Sequence, residues 1–364
     1  MRRLQHRLEE SGTTVFYADM SEYLLSTKEI EISDFLVSVT GALSERIAER
    51  YDASPGDRGH WDRLVHSLQS EVQLDAVTTK LGPTTVKASL KNDPHFKSEL
   101  QKAARGHVAK LVQEAHGFVA EAVEFVRERE GDPDRKVVLL VDSVERLRGV
   151  GSEAMNVYDS VRDLFVGHAA NLRLPSLHVV YSIPPYLSVL AAGAGGVLGG
   201  AVARRLVSVH TVRHHSREPD PEGLAILREV IERRCPAWRR LIAEGALDRL
   251  ATYSGGDLRE FFRLIRLCLP SVRDDTQLPL GVDSVRIAED TARTEMLPIP
   301  REHLEWLKDI ASSHGACLER DADLPTLAHF LDNRRVLVYR NGEDWYDVHP
   351  LLRGIVDAHR STRE

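Results

Sequence analysis

The residues best suited to do chemistry stand in one short run, Lys136 to Gly149, KVVLLVDSVERLRG. Five apolar residues, Val137 to Val141, lead straight into Asp142, with Ser143 beside it and Glu145 three positions on. A carboxylate fixed at the C-terminal end of a buried strand can hold Mg²⁺, directly or through water, beside bound phosphates. Glu145 can polarise a water molecule, and it reads equally well as a solvated residue in the first turn of a helix. A second apolar run, SLHVVYSI, carries Ser182 near its end, where a hydroxyl can sense a γ-phosphate. In SGGDLREFFRLI, Gly255 and Gly256 break the chain before a helix that projects Arg259. An arginine so placed can neutralise phosphate charge.

These side chains need elements to hold them. Arg2 to Glu10 reads as a helix, a turn comes at Ser11-Gly12, and TTVFYADM reads as a strand ending at Asp19, with Ser21 able to cap the next element. From Ser33 or Asp34 to Arg50 an amphipathic helix is expected, with Phe35, Val39, Leu43 and Ile47 at four-residue spacing. Residues 61–94 are irregular, with a possible hairpin about Gly82-Pro83. A long helix is expected from about Phe96 to Glu130, ended by GDPDR. Glu153 to Ala170 reads as helix, and Arg204 to Val212 as a further short strand. Strand, helix, strand, helix, strand fits a parallel α/β sheet wrapped by helices.

Composition changes after HHSREPDPEG. From Gly223 to Pro270 the signals are all helical, and Val282 to Glu295 adds another helix. Two more helices (HLEWLKDIASS and LPTLAHFLDN) precede a hairpin, RVLVYRNGEDWYDV, whose Asn341-Gly342 predicts a type I′ turn. HPLLRGIV closes as a helix, and helix, helix, hairpin is the outline of a winged helix.

The 364 residues suffice for two or three domains. A formal net charge of −7 gives no global pull toward nucleic acid or anionic membrane. Cys235, Cys268 and Cys317 lie far apart with no C-x-x-C spacing, which suits free thiols and a cytoplasmic location. Ile183 to Arg205 is uncharged over the length of a spanning helix, but its glycines, alanines and Pro-Pro entry favour a small-residue loop or helix over insertion.

Taken together, Asp142, Ser182, Arg259 and the order of elements resemble AAA+ ATPases, particularly the STAND and origin-recognition side of that superfamily. The resemblance covers nearly the whole chain and implies a fold class: an α/β parallel-sheet P-loop NTPase core, an all-α lid and a C-terminal winged helix. It implies a core over 1–215 with a helical insertion near 61–130, a lid over 216–296 and a winged helix over 297–364. By match to the family, Asp142 is the Walker B magnesium residue, Ser182 the sensor-1 residue and Arg259 the sensor-2 arginine. Asp142, Ser143, Ser182 and Arg259 then face nucleotide, Asp142 and Glu145 are catalytic, and Arg204 or Arg205 is a finger contact. ATP or ADP with Mg²⁺ are the implied cofactors, and a partner protein or self-assembly the implied output.

Two departures matter. Ser143 stands where many AAA+ proteins place the catalytic Glu, and Glu145 echoes the STAND arrangement instead. No Gly-Lys-Ser or Gly-Lys-Thr occurs anywhere, so the phosphates lack a backbone cradle and its lysine. In the family order that loop and the first strand fall just before Met1, which leads to the expectation of an N-terminally truncated core that does not hydrolyse ATP unaided. The alternative is a nucleotide-independent scaffold with a winged helix.

Other features carry less. GAGGVLGG, Gly193 to Gly200, lacks a following Lys-Ser/Thr and reads as a loop. His210, His214 and His215 have no acid or Cys partner at matching spacing, which favours structural or surface roles over metal. DNA binding through the winged helix is possible but not favoured, because residues 301–364 carry more acids than bases. Trp306, Phe330 and Trp345 are expected in the core of this region.

Overall fold

Three strands, Thr14–Asp19 (β1), Val137–Asp142 (β2) and His178–Tyr181 (β3), form a parallel sheet in the order β1-β2-β3 in the computed structural model. The structure describes residues 1–52, 93–191, 202, 207–214, 216–272, 274, 277–316, 318 and 323–359. The expected hairpin about Gly82-Pro83, the run Gly193 to Gly200, Arg204, Arg205, His215 and Cys317 lie outside them. The chain forms two compact units, Met1–Ala203 and Arg204–Glu364.

In the first unit the apolar run of β2 is explained by its place between two neighbours: Val137 to Val141 are all buried. Alternation along parallel strands sends their side chains to two faces. One face carries Val15, Tyr17, Val138, Leu140 and Val180, on which Leu8 of helix α1 (Arg2–Glu10) packs. Helix α2 (Ile32–Tyr51) serves the opposite face, where Phe35 meets the Tyr181 ring at 5.7 Å and Phe165 at 5.8 Å. A capping box formed by Glu31 and Asp34 starts α2.

The single long helix expected from Phe96 to Glu130 is two helices, α3 (Pro94–Arg105) and α4 (Val108–Glu130). The break falls at Gly106-His107, where glycine's backbone freedom outweighs the apolar stripe that suggested continuity. Helix α5 (Ala154–Arg162) passes into a π turn over Asp163–Gly167, so the helical stretch to Ala170 is shorter and wider than expected. A one-turn helix, α6, covers Leu187–Leu190. No strand occupies residues 207–211. Among the described residues Val212 makes only an isolated bridge to Pro219, where the chain folds back on itself.

The second unit holds α7 (Pro221–Arg234), α8 (Glu244–Tyr253), α9 (Leu258–Cys268) and α10 (Val282–Glu295) around a core that includes Leu227, Trp238, Leu250, Phe261, Val285 and Leu351. Helices α11 (Arg301–Ser313) and α12 (Leu324–Asp332) precede an antiparallel hairpin, β4 (Val336–Asn341) and β5 (Glu343–Val348), and α13 (Arg353–Ala358) closes the unit. The turn differs from the type I′ expectation. Pairing of Asn341 with Glu343 centres the hairpin on Gly342, which alone has positive φ there (107°). A type I′ turn needs positive φ at both central residues. Phe330 and Trp345 are buried as expected, while Trp306 is half-buried with its ring 5.3 Å from Phe330.

His210 and His214 serve structure: His214 stacks on Trp345 at 4.5 Å, and His210 lies 6.0 Å from the same ring. Cys235 and Cys268 are free thiols. Among the described residues no helix is long and apolar enough to cross a membrane.

Candidate functional site

Parallel pairing brings the C-terminal ends of all three strands to one edge, and four of the five singled-out residues meet there. β2 ends at Asp142, where Ser143 turns the chain with a left-handed φ of 67°. That turn lets the Ser143 backbone N–H donate to Asp142 Oδ1 at 2.9 Å. A 3₁₀ turn over Val144–Arg146 then brings Glu145 back toward β3. Just past β3, the Ser182 hydroxyl donates to Glu145 Oε2 at 2.6 Å and accepts from the Val144 backbone N–H at 3.2 Å. Ser182 N–H in turn donates to the Val141 carbonyl at 2.9 Å, so the serine is tied to β2 by its backbone and to the turn after it by its side chain.

Two residues that sequence reasoning missed complete the edge. The Tyr17 hydroxyl donates to Asp142 Oδ2 at 2.6 Å. Burial, followed by that bond, pushes the Tyr17 phenol up to about 12, so it stays a proton donor. Asp19 pairs with Asp142 in the β1–β2 register. Burial favours its neutral form, but hydrogen bonds from Ser21 and Ser143 and the charge of Arg146 hold its carboxyl below the ordinary carboxylate range. The expected capping role of Ser21 is inverted, since Asp19 Oδ1 accepts from the Ser21 N–H and hydroxyl at 3.0 and 2.7 Å. The signal that could have found both is the strand TTVFYADM itself: a strand parallel to β2 that ends in an acid puts that acid beside Asp142 and the tyrosine two residues earlier on the same face.

Arg259 belongs to the second unit. It is exposed on the first turn of α9, whose N-cap Asp257 accepts from Glu260 N–H at 2.8 Å. The turn before it is tightly built. Gly255 and Gly256 have φ of 60° and 77°, and a Cβ on Gly256 would fall 1.8 Å from the Val209 carbonyl oxygen. Tyr339 of β4 donates to the Gly255 carbonyl at 2.9 Å, and Arg334 reaches Asp257 at 3.2 Å. The start of α9 is thereby locked to the C-terminal hairpin.

What the strand edge can do is bounded by its donors. Among the described residues no group of three or more histidine, cysteine or acidic side chains is arranged to enclose a metal ion. Mg²⁺ needs no such cage: it keeps several waters and takes one or two carboxylates besides phosphate oxygens. Each Asp142 oxygen accepts one hydrogen bond among the described residues, and a carboxylate oxygen has a second lone pair to offer. The donor set therefore fits Mg²⁺. For the β- and γ-phosphates the sequence holds no loop ending in Gly-Lys-Ser or Gly-Lys-Thr. No known protein family, curated protein or solved structure matches the chain.

Proposed function

We propose that the chain is an AAA+/STAND-like regulatory protein in which nucleotide state controls the arrangement of a partner or of further copies. The observation that carries this reading is the trio at the strand edge: Asp142 ending the central strand, and Glu145 held 2.6 Å from Ser182 at the end of the next. In this reading residues 216–296 act as a lid and residues 297–364 as a winged helix, with Arg259 the lid's arginine. Asp142 holds Mg²⁺, which when bound neutralises phosphate charge. Ser182 keeps Glu145 aimed at the edge, and Val144 N–H fixes Ser182. No hydrolytic step is assigned to this chain alone, because the phosphate cradle is lacking.

Calorimetric titration with ATP and with ADP, each with and without Mg²⁺, tests the proposal. The expected result is Mg²⁺-dependent binding that Asp142→Asn weakens at least tenfold. Binding unaffected by Asp142→Asn, or no binding of either nucleotide, overturns it. A second reading, a nucleotide-independent scaffold, is favoured by one observation: Tyr17 and Ser182 already donate to the two acids within the protein. Nucleotide-free capture of a partner by both wild type and Asp142→Asn supports that reading.

A further inference from the structure

We infer that Tyr17 is the positioning residue of the cation site: its hydroxyl fixes the Asp142 carboxylate in the orientation that accepts a divalent cation. The inference rests on the proposed role of Asp142 as the magnesium residue. A carboxylate at a strand end turns freely about two bonds, and a cation held by one carboxylate plus water is sensitive to that freedom. Asp19 adds a bias to that freedom. It stands opposite Asp142 in register, on the neighbouring strand (backbones about 4.8 Å apart), and on the same face. Like charges placed opposite one another disfavour close approach of the two carboxylates.

Two donors oppose the drift. Ser143 N–H takes Asp142 Oδ1 at 2.9 Å and the Tyr17 hydroxyl takes Oδ2 at 2.6 Å, the short distance of a charge-assisted bond. With both oxygens pinned, the plane of the carboxylate is set, and each oxygen keeps a further lone pair to offer. Tyr17 is itself immobilised. Its ring packs with Val15, Val138 and Leu140, and the Arg2 guanidinium lies 3.5 Å from its centroid on α1. Ser143 supplies a backbone donor that no side-chain change removes, so Tyr17 is the adjustable half of the clamp.

The test uses the full chain with labelled Leu and Val methyl groups, titrated with Mn²⁺ as a paramagnetic substitute for Mg²⁺, with and without ATP. Mn²⁺ at Asp142 broadens the methyls of Leu140, Val141 and Val144, its near neighbours along the chain, ahead of those elsewhere. Tyr17→Phe is expected to raise the Mn²⁺ concentration for half-broadening about tenfold, the usual scale for losing an outer-shell partner. Tyr51→Phe, which removes a comparable hydroxyl–carboxylate bond to Glu130 far from the edge, is expected to leave it unchanged. If Tyr17→Phe titrates like wild type while Asp142→Asn does not broaden, the positioning role is refuted and the Asp142 assignment stands. If wild type and Asp142→Asn broaden alike, or wild type shows no local broadening, the assignment itself falls and the inference with it. Should Tyr17→Phe not fold, Arg2→Gln loosens the same ring and must shift the titration in the same direction. An unshifted Arg2→Gln then refutes the clamp.

Discussion

Lowering the pH from 6.5 to 5 should destabilise the second unit through His349. This imidazole is buried at the start of the turn after β5, where its Nδ1 accepts from the Leu351 N–H at 3.3 Å. Burial first, then the positive charges of Arg334, Arg263 and Arg353, push its pKa down to about 3. An unfolded histidine titrates near 6.5, so below that pH the unfolded chain binds a proton that the folded chain refuses. Stability is therefore full above about 6.5 and falls with pH until about 3. Each unit is worth about 1.4 kcal/mol, so the 1.5 units from 6.5 to 5 cost about 2 kcal/mol. His303 and His329, both depressed chiefly by burial, act in the same direction. Carboxylates add little in this window because their unfolded values lie near 4.

Urea unfolding followed by tryptophan fluorescence in a Trp61→Phe background reads the second unit, which holds Trp238, Trp306 and Trp345. The decisive variant is His349→Asn. Its amide oxygen keeps the acceptor for Leu351 N–H, since Asn is a good N-cap, but it does not titrate. Wild type should lose about 2 kcal/mol more than His349→Asn over the window. Equal losses in the two chains refute the argument that a neutral buried His349 governs acid sensitivity.

Other consequences arise from packing and pairing. Gly256 and Gly12 have nearly the same φ, 77° and 79°, but only Gly256 lacks room for a Cβ. Gly12→Ala should cost about 1 kcal/mol and Gly256→Ala about 3 kcal/mol or more in urea unfolding, and equal costs would discredit the close approach to Val209. Arg249 makes a two-pronged contact with Glu289 (2.6 and 2.9 Å), whose side chain is 2% exposed. Arg249→Ala leaves that carboxylate buried and unpaired, and should lower stability by about 2 kcal/mol, less than a fully buried pair because Arg249 is partly exposed. In mass-spectrometric alkylation, half-buried Cys235 should react in the native chain, while Cys268 should stay protected until unfolding. Burial, followed by the nearby Glu289 charge, pushes the Cys268 thiol up to about 11.

The sequence makes the sheet readable wherever an apolar run is short and bounded. β1 and β2 are such runs, closed by acids and flanked by charged helices, and both form where expected. It misleads where two signals compete. The stripe from Val108 to Val126 continues the periodicity of α3 so smoothly that Gly106 is easily overlooked, although one glycine followed by His107 is enough to divide the helix. Arg204 to Val212 alternates like a strand, but its described part finds only Pro219 to pair with, through Val212. Alternation states that a segment suits a sheet, and a partner edge must still be offered.

The strand edge shows the same division more sharply. Asp142, Glu145 and Ser182 announce themselves because each closes or follows an apolar run. The tie between Glu145 and Ser182 depends on the left-handed turn at Ser143, a conformation that a serine sequence does not advertise. Tyr17 and Asp19 stay silent for another reason. Within one strand they look like a strand tyrosine and the acid that ends the strand, and both descriptions are correct locally. They acquire a role through register alone: Asp19 pairs with Asp142, so residues 17, 19 and 142 share a face. A slip of one residue would turn Tyr17 and Asp19 to the opposite face from Asp142. The clamp on Asp142 is thus enforced by the same apolar alternation, Val15 with Val138 and Tyr17 with Leu140, that fixes how β1 lies on β2.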